Sequence, residues 1–350
     1  MKRTFSLFAA IFAIFAFAAP SFALSTSADC AILIEAESGD VIYEQNADAR
    51  RGPASTTKIM TALIAIEMCP QDRVITVSPD AVGVEGSSAY LYAGEQITME
   101  SLLYALMLSS ANDAAAAIAY EIAGGIDEFA ALMNEKAAQL GLENTHFANP
   151  HGLDAPEHYT SARDLATIAR TALENETFKK IVSTKKISVP MQSGEATRML
   201  VNHNKLLRMY DDVIGVKTGF TKKCGRTLVS CAERDGVRLI AVTLDDGNDW
   251  NDHRNMLDHG FELYERVTLF KAGELSFEAS VGTEKITVSN ENDIAATVKK
   301  DRGAFRIEAD YKASLVAPIK KGEPTGEARL YIGDRLIKRV PLVADGDVGK

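Results

Sequence analysis

Ala54-Ser55-Thr56-Thr57-Lys58-Ile59-Met60-Thr61-Ala62-Leu63 is the stretch on which the reading of this chain turns. Its alanine, methionine, leucine and isoleucine favour a helix, and apolar side chains recur at Ile59, Leu63 and Ile66. Pro53 and the small polar run Ser55-Thr56-Thr57 mark where that helix begins. Residues three apart share a helix face, so Lys58 lies one turn above Ser55 and the two side chains can touch. A serine beside a proton acceptor is the minimum of an activated nucleophile. The positive end of the helix favours the alkoxide.

The pattern needs support from elsewhere, because a lone Ser-x-x-Lys is usually only a capped surface helix. A second match, Ser183-Thr184-Lys185-Lys186, runs into the strand-like alternation Ile187-Ser188-Val189-Pro190, so its serine and lysine do not share a helix face. Two further motifs support Ser55. Ser110-Ala111-Asn112 stands between the apolar helix Leu102 to Leu108 and an alanine-rich one beginning near Asp113. Lys217-Thr218-Gly219 ends the run Val213-Ile214-Gly215-Val216, which reads as a buried strand. Ser-x-x-Lys, Ser-x-Asn and Lys-Thr-Gly, in this order on helix, inter-helix loop and strand, resemble the signature of penicillin-binding proteins and class A β-lactamases.

Around these motifs the chain reads as an exported enzyme of two domains. Residues 1–23 have the form of a secretory signal: Lys2 and Arg3, an apolar run from Phe5 to Ala19, and small residues before a cleavage point after Ala23. The run is too short for a membrane span. About 325 residues remain, enough for one large domain and a smaller one. A net charge of −10 argues against nucleic acid as a partner. Cys30, Cys69, Cys224 and Cys231 could form two disulfides or remain free, and free thiols are the favoured expectation.

Strand-like segments at Ala31 to Tyr43, Arg226 to Cys231 and Val237 to Leu244, with helices between, predict an α/β (α+β) domain over 24–268 whose antiparallel sheet is flanked by helices. From 269 to 350 short alternating runs and the Gly333-Asp334 hairpin turn predict an all-β sandwich without a catalytic cluster. The six histidines include no His-Glu-x-x-His, so no catalytic metal and no cofactor is expected.

Almost the whole mature chain resembles the serine-type D-alanyl-D-alanine carboxypeptidases, the low-molecular-mass penicillin-binding proteins. The likeness extends to Gly86-Ser87-Ser88, Ala105 to Asp113, Asn149 to Asp154, Tyr159 to Asp164 and Gly215 to Thr221. It implies removal of the terminal D-alanine from peptidoglycan pentapeptides in the cell envelope or outside the cell, with β-lactams as covalent inhibitors. It makes Ser55 the nucleophile, Lys58 the base and Ser110 a proton relay to the leaving amine. Asn112 would hold the substrate amide, and Lys217 and Thr218 would meet its terminal carboxylate. Gly219 would let the substrate lie against the strand, and the N–H groups of Ser55 and Phe220 would form an oxyanion hole. The chain departs from the pattern at Asn202-His203-Asn204, where some members carry arginine, and in having no amphipathic helix after Val340-Pro341-Leu342-Val343, which leaves membrane anchoring open. A β-lactamase would need a deacylating loop carboxylate, for which Glu157 is the only acidic candidate. A non-enzymatic wall-binding protein is the other alternative, and the intact motifs argue against it.

Overall fold

The computed structural model describes residues 2–9, 24–191 and 196–349. Of the segment read as an export signal, only the strand Lys2–Ala9 falls within them, paired antiparallel with Phe305–Lys312. The cleavage point after Ala23 lies outside the described residues. The chain divides into two compact units, one spanning Ala23–Arg234 and Arg238–Glu262, the other built mainly from Leu263–Lys350.

In the first unit a five-stranded sheet runs in the order Val41–Gln45, Cys30–Glu35, Val237–Leu244, Gly225–Arg234, Val213–Thr221. Its first hairpin is closed by Glu35, whose fully buried carboxylate accepts from the Glu37 and Ser38 N–H groups at 3.0 and 2.6 Å and from the Ser38 hydroxyl at 2.7 Å. Cys30–Glu35 then pairs with Val237–Leu244, so the two ends of the unit meet within one sheet. All six residues of Cys30–Glu35 are buried, the mark of a strand covered on both faces. The helix Asp249–Leu263 covers one face closely: a Cβ on Gly260 would stand 2.5 Å from Leu239 Cδ1 and 3.2 Å from Leu33 Cδ2.

The helix Lys58–Met68 is buried from Lys58 through Ala65, and apart from Lys58 and Thr61 that stretch is apolar, as suits a central helix. Its core is shared with the helices Met99–Leu108, Asn112–Ala123, Ile126–Gln139 and Ala162–Ala172. Ala114 to Ala117 and Ala119 allow these neighbours to pack closely, and each Leu or Ile buried there contributes roughly 1.5–3 kcal/mol. The helix does not include Ser55, contrary to the sequence reading. Ala54–Thr57 forms a 3-10 turn and the α-helix starts at Lys58. Val213–Thr221 is the outermost strand beside that turn, so its far edge is free of backbone partners from the sheet.

The second unit is all β. Phe305–Lys312, Pro324–Ile332, Arg335–Ala344, Glu284–Asn290 and Ser276–Val281 are successive neighbours in one sheet, and Tyr264–Phe270 pairs with Ile294–Lys299 in a smaller one. Phe305, Ile307, Ala309 and Tyr311 alternate inward into its core. The sequence-level boundary at 268/269 falls inside the strand Tyr264–Phe270, which follows a helix without a break and so shows little alternation of its own. All four cysteines are free, and Cys30, Cys69 and Cys231 serve as small core residues. Among the described residues no helix is long and apolar enough to cross a membrane.

Candidate active site

The 3-10 turn explains how Ser55 and Lys58 meet. Side chains at i and i+3 eclipse in a 3-10 helix, and Lys58 Nζ stands 2.9 Å from Ser55 Oγ. The turn is fixed by one unusual backbone conformation and by close packing on two sides. Ala54 adopts φ +48, a left-handed conformation unusual for a residue with a Cβ. Gly152, at φ +87, lies so close that a Cβ would come 1.9 Å from the Ala54 carbonyl oxygen and 3.0 Å from Thr57 Oγ1. A Cβ on Gly219 would reach 2.3 Å from Thr227 Oγ1 and 2.9 Å from the Ser55 nitrogen. The glycine of Lys217-Thr218-Gly219 is therefore required by the packing of the strand on the nucleophile turn itself.

Lys58 is fully buried, and its Nζ has two further neighbours: Asn112 Oδ1 at 2.8 Å and the His151 carbonyl oxygen at 2.5 Å. The Asn112 amide is oriented by its own nitrogen, which donates to the Glu85 carbonyl at 2.5 Å. Both neighbours can only accept. A neutral lysine has two N–H bonds and one lone pair, so both hydrogens are committed to Asn112 and His151 and the lone pair faces the Ser55 hydroxyl. Burial, and then the charge of Lys217, hold the Lys58 ammonium well below its usual pKa, with Asp113 opposing.

The His151 carbonyl is positioned by a compact loop. Asn149 Oδ1 accepts from Gly152 N at 2.7 Å, Asn149 Nδ2 donates to Leu153 O at 3.0 Å, and Pro150 O accepts from Thr61 Oγ1 at 2.6 Å. His158 Nδ1 accepts from Ala148 N, which leaves its Nε2–H to donate to Thr57 Oγ1 at 2.9 Å. Burial pushes the pKa values of His151 and His158 down to about 3 and about 4. Both rings are therefore neutral scaffolding.

Across the cleft Ser110 takes φ +59, the second non-glycine residue at the site in the left-handed region. Behind it the buried Asp113 carboxylate accepts from the Ala89, Leu91 and Ala114 N–H groups and the Ser88 hydroxyl, tying the 88–91 segment to the helix that carries Asn112. Lys217 is buried, donates to Thr218 O at 2.8 Å, and has its pKa lowered to about 7 by that burial.

A cleft of about 430 Å³ is lined by Ser55, Ser87, Ser110, His203, Thr218, Gly219, Phe220, Arg226, Asp249 and Trp250. It gathers five of the sequence-assigned residues: Ser55, Ser110, Thr218, Gly219 and Phe220. Lys58 and Asn112 join them through hydrogen bonds, while Lys217 lies buried with its charge felt at Lys58. Sequence reasoning missed Arg226, Asp249 and Trp250. The one available signal was that the chain's single tryptophan sits two residues beyond an Asp-Gly-Asn turn. Glu157 lines a different cavity, of about 340 Å³, with Arg50, Cys224 and Tyr159.

Known proteins resemble this chain along most of its length. A family described as D-alanyl-D-alanine carboxypeptidase matches residues 16–248, and one described as the penicillin-binding protein 5 C-terminal domain matches residues 264–350. The D-alanyl-D-alanine carboxypeptidase DacF of Bacillus subtilis is 34% identical over 93% of this chain and 87% of its own length. DacC of Escherichia coli is 32% identical over 97% of this chain and 89% of its own. Among solved structures, penicillin binding protein 5 from Haemophilus influenzae superposes over 95% of this chain and 100% of its own, with TM-score 0.70 and 27% identity. The Streptomyces K15 DD-transpeptidase covers 68% of this chain and 98% of its own, with TM-score 0.64 and 33% identity. With a family match over more than half of its length and a relative this similar across nearly all of it, the chain belongs to the D-alanyl-D-alanine carboxypeptidase family.

Proposed function

We propose that this protein is an exported serine peptidase that removes the terminal D-alanine from peptidoglycan pentapeptides, with Ser55 as nucleophile and Lys58 as its base. The observation that carries the assignment is the set of oxygens around Lys58 Nζ: in the neutral amine Asn112 Oδ1 and the His151 carbonyl take both hydrogens, which leaves the lone pair for Ser55 Oγ. Ser55 Oγ attacks the carbonyl carbon of the scissile bond as its proton passes to Lys58. The Ser55 and Phe220 N–H groups stabilise the resulting oxyanion. Collapse breaks the C–N bond, and the leaving D-alanine amine takes a proton through Ser110. Water then attacks the acyl-enzyme, Lys58 accepts its proton, and the Ser55 hydroxyl is restored as the shortened peptide leaves. Asn112 holds the substrate amide, and Lys217 and Thr218 face the terminal carboxylate.

A β-lactam amide imitates the scissile bond, so penicillin acylates Ser55 in this scheme. The signal-like residues 1–23 support action in the cell envelope, where the polymer is found. The test is incubation with a Lys-D-Ala-D-Ala peptide and measurement of released D-alanine. Wild-type protein should release it and Ser55→Ala should not. A folded wild-type protein that releases none refutes the proposal.

A further inference from the structure

We propose that Arg226 reads the free carboxylate of the substrate's last residue and so confines this enzyme to chain ends, an inference that rests on the carboxypeptidase reading above. Arg226 stands opposite Phe220 in the hairpin of Val213–Thr221 with Gly225–Arg234, and Thr218 stands opposite Leu228. Opposed residues in an antiparallel pair share a face, as do residues two apart on a strand, so Thr218, Phe220 and Arg226 point to the same side. Thr218 and Arg226 are diagonal neighbours there, a spacing that a long side chain spans. Both line the cleft that contains Ser55.

The guanidinium is held in place with one edge left over. Its Nε and Nη2 donate to the buried Asp249 carboxylate at 3.0, 2.7 and 2.8 Å, and its carbon lies 5.4 Å from the centre of the Trp250 ring. Nη1 has no hydrogen-bond partner among the described residues, and the side chain is 41% exposed. The free Nη1 and the outward N–H of Nη2 form a fork that matches a carboxylate, while Asp249 and Trp250 fix its direction. Of the cations at the site, Arg226 lines the cleft, whereas Lys58 and Lys217 are buried.

The chemistry recognised is a carboxylate, which a stem peptide offers at its C-terminus and on some upstream side chains. Three substrates separate these sources: a Lys-D-Ala-D-Ala free acid, its C-terminal amide, and the same amide with glutamate in place of lysine. The expected result for Arg226→Gln is a roughly ten- to hundredfold loss of kcat/KM on the free acid, carried mainly by KM. The acid-to-amide preference of the wild type should collapse with it, and Arg226→Lys should restore part of that preference. Because Arg226→Gln leaves Asp249 buried without its partner, the double variant Arg226→Gln/Asp249→Asn is measured beside it and should show the same collapse. An unchanged acid-to-amide ratio in either active variant overturns the inference and leaves the carboxypeptidase reading intact. So does a loss as large on the glutamate amide as on the free acid, which would assign Arg226 to a side-chain carboxylate. A wild type that cleaves the last peptide bond of none of the three, releasing neither D-alanine from the acid nor D-alaninamide from the amides, overturns both.

Discussion

Gly152 and Ala54 touch where no side chain fits: a Cβ on Gly152 would stand 1.9 Å from the Ala54 carbonyl oxygen, one residue before the nucleophile. The loop that supplies the third partner of Lys58 is thereby pressed directly against the turn that presents Ser55. Gly152→Ala should cost about 3 kcal/mol in urea unfolding, since it adds a backbone clash to a positive φ. Acylation by a fluorescent penicillin should slow by roughly a hundredfold, the penalty of a displacement near 1 Å at the reacting atoms. Gly141, at φ +70 with nothing within 4 Å of an added Cβ, provides the control. Gly141→Ala should pay only the conformational cost of about 1 kcal/mol and acylate normally.

Lys58→Arg tests the base. Arginine keeps the charge and most of the length but has no accessible neutral form. Acylation should fall by roughly a thousandfold or more while the fold survives. The wild-type acylation rate should rise with pH through a single ionisation, that of the depressed Lys58 ammonium. Near wild-type acylation by Lys58→Arg, with an unchanged pH profile, would remove Lys58 from the role. Ser183→Ala should label as the wild type does, because Ser183 Oγ bonds to Lys180 O at a helix end and Lys186 begins a separate strand.

Burial of Lys217 predicts how stability varies with pH. The folded-state pKa is about 7, against an ordinary value of 10.5. Between these values the unfolded chain holds a proton that the folded chain has released, so stability rises with pH. Below about pH 7 both states are protonated and this residue contributes no slope. The expected gain approaches about 1.4 kcal/mol per pH unit within the window. Lys58, whose pKa burial also lowers, adds a contribution of the same sign. Chemical denaturation of Lys217→Met between pH 7 and 10 should show a shallower rise than wild type. Equal slopes would mean that Lys217 keeps its proton on folding.

The parts of the site legible in the sequence were those encoded by side-chain identity at fixed spacing. Ser55 with Lys58, Ser110 with Asn112, and Lys217-Thr218-Gly219 each lie within one short segment, and the periodicity around them identifies helix, loop and strand. What stayed hidden depends on backbone and register. The His151 carbonyl is a main-chain atom that any residue would supply, and the left-handed conformations of Ala54 and Ser110 occur at residues that rarely adopt them. Arg226 reaches the cleft only because the hairpin places it across from Phe220, and Asp249 meets it from a different element. In the second unit Tyr264–Phe270 was concealed by the helix that runs into it.

Trp250 is the only tryptophan in the chain, and it lines the cleft beside Arg226. The protein thus carries an intrinsic fluorophore at the place where a ligand would arrive. When excited at wavelengths selective for indole, its emission comes from that one position, with no other indole to dilute the signal. Occupation of the cleft should change the intensity or the maximum of that emission in unlabelled protein, and stopped-flow mixing would then time the approach of a ligand separately from the covalent step that follows.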